Sequence, residues 1–262
     1  MAARYKLRSV LNPLFEIIFE DADLLVVNKP AGLVCHPTKG DELSSLISRA
    51  RLHLGSGASA HICSRLDRET SGVAIIARNK QTASQLGRLL EKRSVEKEYL
   101  AIAHGTVMEA HGLIELPLGK DDLSRIAIKD KVRPDGAAAK TEYWVERHFS
   151  RDGKDFTLLR LLLHTGRKHQ IRIHLSSIGH PIVGDKLYGG DEDLYMALVE
   201  DRLTPEQRQR LLLPNQALHS KSIRFSWRGL PVSFSAAPDK DFTDFLVPCL
   251  LDANQASTDC HE

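Results

Sequence analysis

The stretch SRLDRETSG (residues 64–72) sets one aspartate, Asp67, between Arg65 and Arg68, directly before the apolar run VAIIA. A carboxylate among guanidinium groups stays ionised at neutral pH, which a nucleophile or base requires. A loop that leads straight into a buried strand would also hold it rigidly. The same charges describe an exposed, salt-bridged turn contributing about 0–1 kcal/mol, so this stretch alone leaves both readings open. A second stretch, TGRKHQIRIHL (165–175), places Arg167 and Lys168 between a Thr-Gly turn and a helical pattern. Helix N-terminal amides beside two cations suit phosphate oxygens; a solvated basic face is the competing reading. His169 and His174 stand about 140° apart around a helix, which does not place them on one face for a shared metal.

The elements that must position these groups are legible in outline. FEIIFE and LLVVNKP read as strands around a turn at Asp21–Asp23, with Pro30 and Gly32 closing the second. LSSLISRARLHL (43–54) has helical spacing, and GVAIIAR (72–78) is a strand pattern punctuated by Gly72. KQTASQLGRLLEKR suits a helix with a basic face. Strand patterns continue at VEKEYLAIAHG, HGLIELPL, TEYWVERHF and FTLLRLLLH. The polar segment 118–140, with Pro134 and Gly136, predicts a projecting loop or hairpin. KHQIRIHLSSIG reads as a helix with Ile171, Leu175 and Ile178 on one face. Many strands with few interleaved helices predict an α+β fold on a mixed, mostly antiparallel β-sheet with flanking helices. The expected division is an N-terminal extension (1–15), one catalytic domain (16–250) and a frayed tail (251–262).

Composition bounds the function. With 262 residues, 42% of them apolar, the chain can bury a substantial core. Its formal charge of +2 demands no polyanionic partner, yet residues 156–184 hold Arg160, Arg167, Lys168 and Arg172 and no acid. Cys35, Cys63, Cys249 and Cys260 lack zinc or disulfide spacing and read as reduced thiols. Acids at Glu16, Glu20 and Asp21 interrupt the N-terminal stretch before a signal-length apolar region forms. No run is of membrane length. The expectation is a cytoplasmic protein without a membrane partner.

Six strings occur in one order: NKPAGLVCHP (28–37), RLDRETSGVAIIARN (65–79), EKEYLA (96–101), GAAAKTEYWVERHF (136–149), HTGRKHQIRIHLSSIGHPIVGDKLYGG (164–190) and QALHSKSIRF (216–225). In these the chain resembles the RluA family of RNA pseudouridine synthases across roughly residues 16–247. The resemblance implies the pseudouridine synthase fold and a catalytic set of Asp67, Tyr99 and Arg172. Asp67 matches the family's catalytic aspartate, Tyr99 its active-site tyrosine, and Arg172 the arginine that pairs with that aspartate. It gives Arg65 the space vacated by a flipped nucleotide, with Arg167, Lys168, His169 and Gln170 as further RNA contacts and Ile173 and Leu175 as pocket or core. The reaction needs no metal or cofactor. The implied partner is a stem-loop of ribosomal or transfer RNA, bound by a monomer.

The chain also departs from the pattern. Ser64 stands where the family commonly has histidine, and His61, three residues earlier, cannot take that place. Lys168 replaces a usual threonine, and the fifteen residues before the first strand leave no room for an S4 RNA-binding domain. The alternatives are a non-catalytic RNA-binding or chaperone module on the same fold, and a base-releasing hydrolase with Asp185 as second carboxylate.

Overall fold

The computed structural model describes residues 15–37, 45–55 and 57–247. The chain sorts into two compact units, each assembled from separate segments. The first takes in residues up to Tyr99, Leu162–Thr165 and Leu218–Pro238; the second takes in Leu100–Leu161, Gly166–Ala217 and the residues from Asp239. The predicted tail beyond residue 250 lies outside the described residues.

In the first unit, strands β1 (Glu16–Glu20), β2 (Leu24–Lys29), β3 (His61–Ile62), β4 (Ser71–Ala77), β11 (Leu218–Trp227) and β12 (Leu230–Ser235) join the start of β5 (Val95–His104). Their order is β1-β2-β4-β11-β5, with β12 on β11 and β3 on β4. Every pairing with a given register is antiparallel except β4 with β11. The runs LLVV and GVAIIA are buried on both faces because β2 and β4 are interior strands. The turn before β2 is an Asp turn, since Asp21 Oδ1 accepts from the N–H groups of Asp23 and Leu24.

Helix α1 (Leu46–Leu54) begins at Ser45, whose hydroxyl caps it, and buries Leu46, Ile47 and Ala50. Helix α2 (Lys80–Glu91) begins where the Asn79 side chain accepts from Thr82 N–H at 2.8 Å. Leu86 of α2 joins a core of Leu24, Val26, Val73, Ile75, Ile223, Phe225 and Phe234. Strand β12 returns along β11 through Arg228 and Gly229, both at positive φ, the two-residue turn that suits strand twist.

The second unit orders its strands β5-β10-β9-β6, from β6 (His111–Ile114), β9 (Thr141–Arg151) and β10 (Lys154–Leu163). Asp152 and Gly153, again both at positive φ, lie between β9 and β10. Strands β7 (Leu118–Lys120) and β8 (Asp130–Val132) form a separate hairpin. Helices α3 (Gln170–Ser177), α4 (Glu192–Val199), α5 (Pro205–Leu211) and α6 (Lys240–Leu246) complete it.

The segment 118–140 is the hairpin expected, but it does not project. Leu118, Ile126 and Ala139 are buried against Ile173, Leu187 and Tyr188, so the hairpin lies packed on α3 and the turn after it. Its charges are tied down as well: Lys129 meets Glu192 at 2.7 Å, Lys131 meets Asp121 at 2.8 Å, and Arg125 reaches Asp193. In α3, Ile171 and Leu175 are buried as predicted, whereas Ile178 ends the helix and is exposed. Among the described residues no helix is long and apolar enough to cross a membrane.

Candidate active site

Asp67 lies in the segment between β3 and β4, half-buried, in a turn closed by Thr70 N–H to its own carbonyl at 3.2 Å. The turn leads into Gly72 at φ +108, where a Cβ would stand 2.2 Å from the Ser220 carbonyl oxygen. No side chain fits there, and the glycine lets β4 and β11 run side by side at Ser71/His219 and Gly72/Ser220. Buried His219 locks the junction. Its Nε2 faces the Ala236 carbonyl at 3.0 Å, so its Nδ1 accepts from the Ser71 hydroxyl at 2.9 Å.

Tyr99, on β5, is buried and its hydroxyl is hydrogen-bonded to the Ser220 side chain. Burial pushes its pKa up to about 12; the Ser220 bond opposes the shift and the negative charge of Asp67 adds to it. Tyr99 therefore keeps its proton at any physiological pH. Both residues belong to the first unit, where the negative charge of Asp67 acts on the Tyr99 hydroxyl.

What holds Asp67 in place is a set of residues that sequence reasoning missed. Lys29 is fully buried, and its ammonium donates to the carbonyls of Pro30 (2.9 Å), Leu33 (2.8 Å) and Arg68 (3.0 Å). Those bonds stitch the NKPAGL segment to the turn that carries Asp67. The Cys35 thiol donates to the Leu66 carbonyl at 3.2 Å and accepts Leu66 N–H at 3.4 Å, acting as a strand partner for the residue before Asp67. Arg68 is exposed and donates from Nε to the Gly32 carbonyl, a scaffolding role. Ser64 is buried and its hydroxyl accepts Ile75 N–H at 3.3 Å, so this position pins the base of the loop. Arg65 is exposed. A signal for Lys29 was present: it is the cation that ends an interior strand opened by the apolar run LLVV.

Burial drives the Lys29 pKa down to about 8, partly offset by the charges of Cys35 and Asp67. An unfolded lysine titrates near 10.4. Between about pH 8 and 10 the unfolded chain thus binds more protons, and stability rises with pH across that window. Lys29→Met is expected to lack that rise, and to orphan three carbonyls at roughly 1–3 kcal/mol for each that stays buried. Denaturant titrations at pH 7 and 9.5 check this: the variant is less stable at pH 7 and the deficit widens at pH 9.5. A deficit that narrows would contradict the buried ammonium.

In the second unit, Arg172 and Asp185 are both buried and share a two-pronged ion pair, Nε to Oδ2 at 2.7 Å and Nη2 to Oδ1 at 2.9 Å. Asp185 Oδ1 also accepts N–H from Leu187 (2.8 Å) and Tyr188 (3.0 Å). Burial alone would raise the Asp185 pKa, but the Arg172 charge and these bonds outweigh it and hold the carboxyl below its ordinary value. Asp185, considered from sequence as a second reactive carboxylate, is thus committed to orienting Arg172. Asp185 takes the Nε and Nη2 edge of the Arg172 guanidinium, a partner that the sequence had not assigned to it.

The residues around Arg172 divide by exposure. Arg167 and Lys168 are exposed, the first donating from Nε to the Ala138 carbonyl and the second paired with Asp130 at 3.0 Å. His169 opens α3 in the left-handed region, φ 55, with Nδ1 3.0 Å from the Tyr188 hydroxyl. Gln170, expected among the RNA contacts, is only 2% exposed. Its amide donates to Lys140 O and Thr141 Oγ1 and accepts Arg167 N–H, so its polar atoms serve the fold. His174 is likewise fully buried between Thr141 Oγ1 and the Leu116 carbonyl. Ile173 and Leu175 are core residues.

Residues 23–177 match the family model described as RNA pseudouridylate synthase. The chain is 35% identical over 248 residues to the ribosomal large subunit pseudouridine synthase D of Vibrio cholerae, an alignment covering 93% of this chain and 73% of that protein. It is 40% identical over 179 residues to an uncharacterized RNA pseudouridine synthase of Aquifex aeolicus, covering 66% of this chain and 55% of that one. Among solved structures, human RNA pseudouridylate synthase domain containing 4 superposes with a TM-score of 0.69 at 26% identity, covering 92% of this chain and 94% of the other. Ordered motifs, the mixed sheet and these likenesses agree that the chain belongs to the RluA-type family of RNA pseudouridine synthases.

Proposed function

We propose that this chain isomerises uridine to pseudouridine in RNA with Asp67 as the reactive carboxylate. The reaction breaks the bond from uracil N1 to ribose C1′, turns the base and joins C5 to C1′; C5 loses a proton and N1 gains one. No oxidant or reductant enters, so the site needs one ionised carboxylate, a flat contact for the detached base and a group able to pass a proton. The observation that carries this reading is the fixed Asp67 turn beside a Tyr99 hydroxyl that burial keeps protonated. Tyr99 offers both the ring and the proton. Arg172, aimed by Asp185, is assigned to Asp67 by the motif resemblance.

For the substrate, the relatives named for the large ribosomal subunit favour ribosomal RNA over transfer RNA. An unpaired loop uridine costs least to extrude. Exposed Arg65, Arg167 and Lys168 would meet its phosphates, which makes binding weaken as salt rises. The same reading carries a cytoplasmic location.

The test is incubation of the purified protein with unmodified large-subunit ribosomal RNA and transfer RNA transcripts, followed by carbodiimide mapping. The expected result is modification at discrete uridines of the ribosomal transcript. RNA binding without any modified uridine would favour the non-catalytic module, and release of free uracil would favour the hydrolase.

A further inference from the structure

We infer that Tyr188 is a positioning residue with two separable jobs: its ring supports Arg172, and its hydroxyl anchors the β7–β8 hairpin. The inference rests on the role proposed for Arg172 and goes beyond it, because the motif resemblance assigns Tyr188 nothing. The Arg172 guanidinium lies 5.0 Å from the centre of the Tyr188 ring, on the side chain that shares its turn with Asp185. Asp185 fixes the guanidinium in its own plane, and the ring blocks movement out of that plane. At the other end, the hydroxyl accepts Asp130 N–H at 3.2 Å, leaving its own hydrogen for His169 Nδ1 at 3.0 Å.

Asp130 opens β8 and its carboxylate holds exposed Lys168. The main chain of Tyr188 is itself pinned, its N–H on Asp185 and its carbonyl on the Ser176 hydroxyl. One rigid side chain thus reaches from the ion pair that orients the arginine to the cation-bearing hairpin beside it. RNA phosphates that engage Lys168 and the hairpin would press on the residue that backs Arg172.

Two variants separate the jobs. Tyr188→Phe keeps the ring and removes the anchor; Tyr188→Leu removes both. Steady-state kinetics on the modified ribosomal transcript would be read beside the Arg172 Nε–H resonance and the melting temperature. For Tyr188→Phe the expected result is an Nε–H signal at its wild-type position and an increase in KM that exceeds the fall in kcat. For Tyr188→Leu the signal loses its ring-current displacement and kcat falls roughly 3- to 30-fold, the range of a cation–π contact. Equal proportional losses in both variants, tracking melting temperature, would reduce Tyr188 to a packing residue and overturn the inference. If the wild-type protein modifies no uridine, the functional reading fails, and the resonance alone decides this one: displacement lost only in Tyr188→Leu supports it, displacement unchanged in both refutes it.

Discussion

Asp67→Asn is expected to lose pseudouridine formation by about 10⁴-fold or more, the scale seen when the central reacting group of an enzyme is removed. Asparagine is nearly isosteric, and the turn around position 67 is closed by the backbone carbonyl, which the substitution leaves alone. RNA affinity and melting temperature should therefore stay near wild type, and filter binding beside carbodiimide mapping would separate the two effects. The lost charge has a second signature. Asp67 supports protonation of both Tyr99 and Lys29, so in the variant the Lys29 pKa falls below its value of about 8. Retained turnover in Asp67→Asn would sink the assignment.

Asp185→Ala should produce the largest loss of stability, about 3–5 kcal/mol, because it removes the buried two-pronged carboxylate partner of the Arg172 cation. It also takes the shared acceptor from two backbone N–H groups. Replacing both partners by apolar residues of similar volume, Arg172→Met with Asp185→Leu, should recover most of that loss while leaving the protein inactive, since buried pairs often exchange neutrally for well-packed apolar groups. Acid supplies a control. The folded Asp185 pKa lies below its unfolded value near 3.9, so the stabilisation is complete at neutral pH and fades as pH drops below that value toward the folded one. Chemical denaturation at pH 7 and pH 3 should show the gap between wild type and variant shrinking in acid. A variant as stable as wild type at pH 7 would mean the pair is dispensable.

Much of the fold was legible because the interior strands carry continuous apolar runs bounded by Gly, Pro or Asp, as in LLVVNKP and GVAIIA. Strand β12 and helices α4 to α6 were not. Helices of seven or eight residues give little periodicity, even where Thr204 and Gln207 form a reciprocal cap that short-range pattern could have suggested. Strand β12, LPVSFS, does alternate, but it spans only six residues and its Pro231 lacks the N–H that a ladder bond needs. At the site, Asp67 announced itself through its charged neighbours. Lys29, Cys35 and Gln170 did not, because a polar residue facing the core looks the same in sequence as one facing water until its carbonyl partners are in place. Asp185 was visible as an acid, but its bidentate grip on Arg172 depends on a turn geometry that no periodicity encodes.

The junction of β4 with β11 brings together Ser71 and His219, which are 148 positions apart along the chain. A contact of that span closes late, after most of the polypeptide is available to pay its loop entropy. A nascent chain still threaded through the ribosome at position 200 would carry the sequence around Asp67 without β11, the strand that meets β4 at Ser71 and Gly72. Competence should then wait until residues 218–227 have been made and have paired with β4.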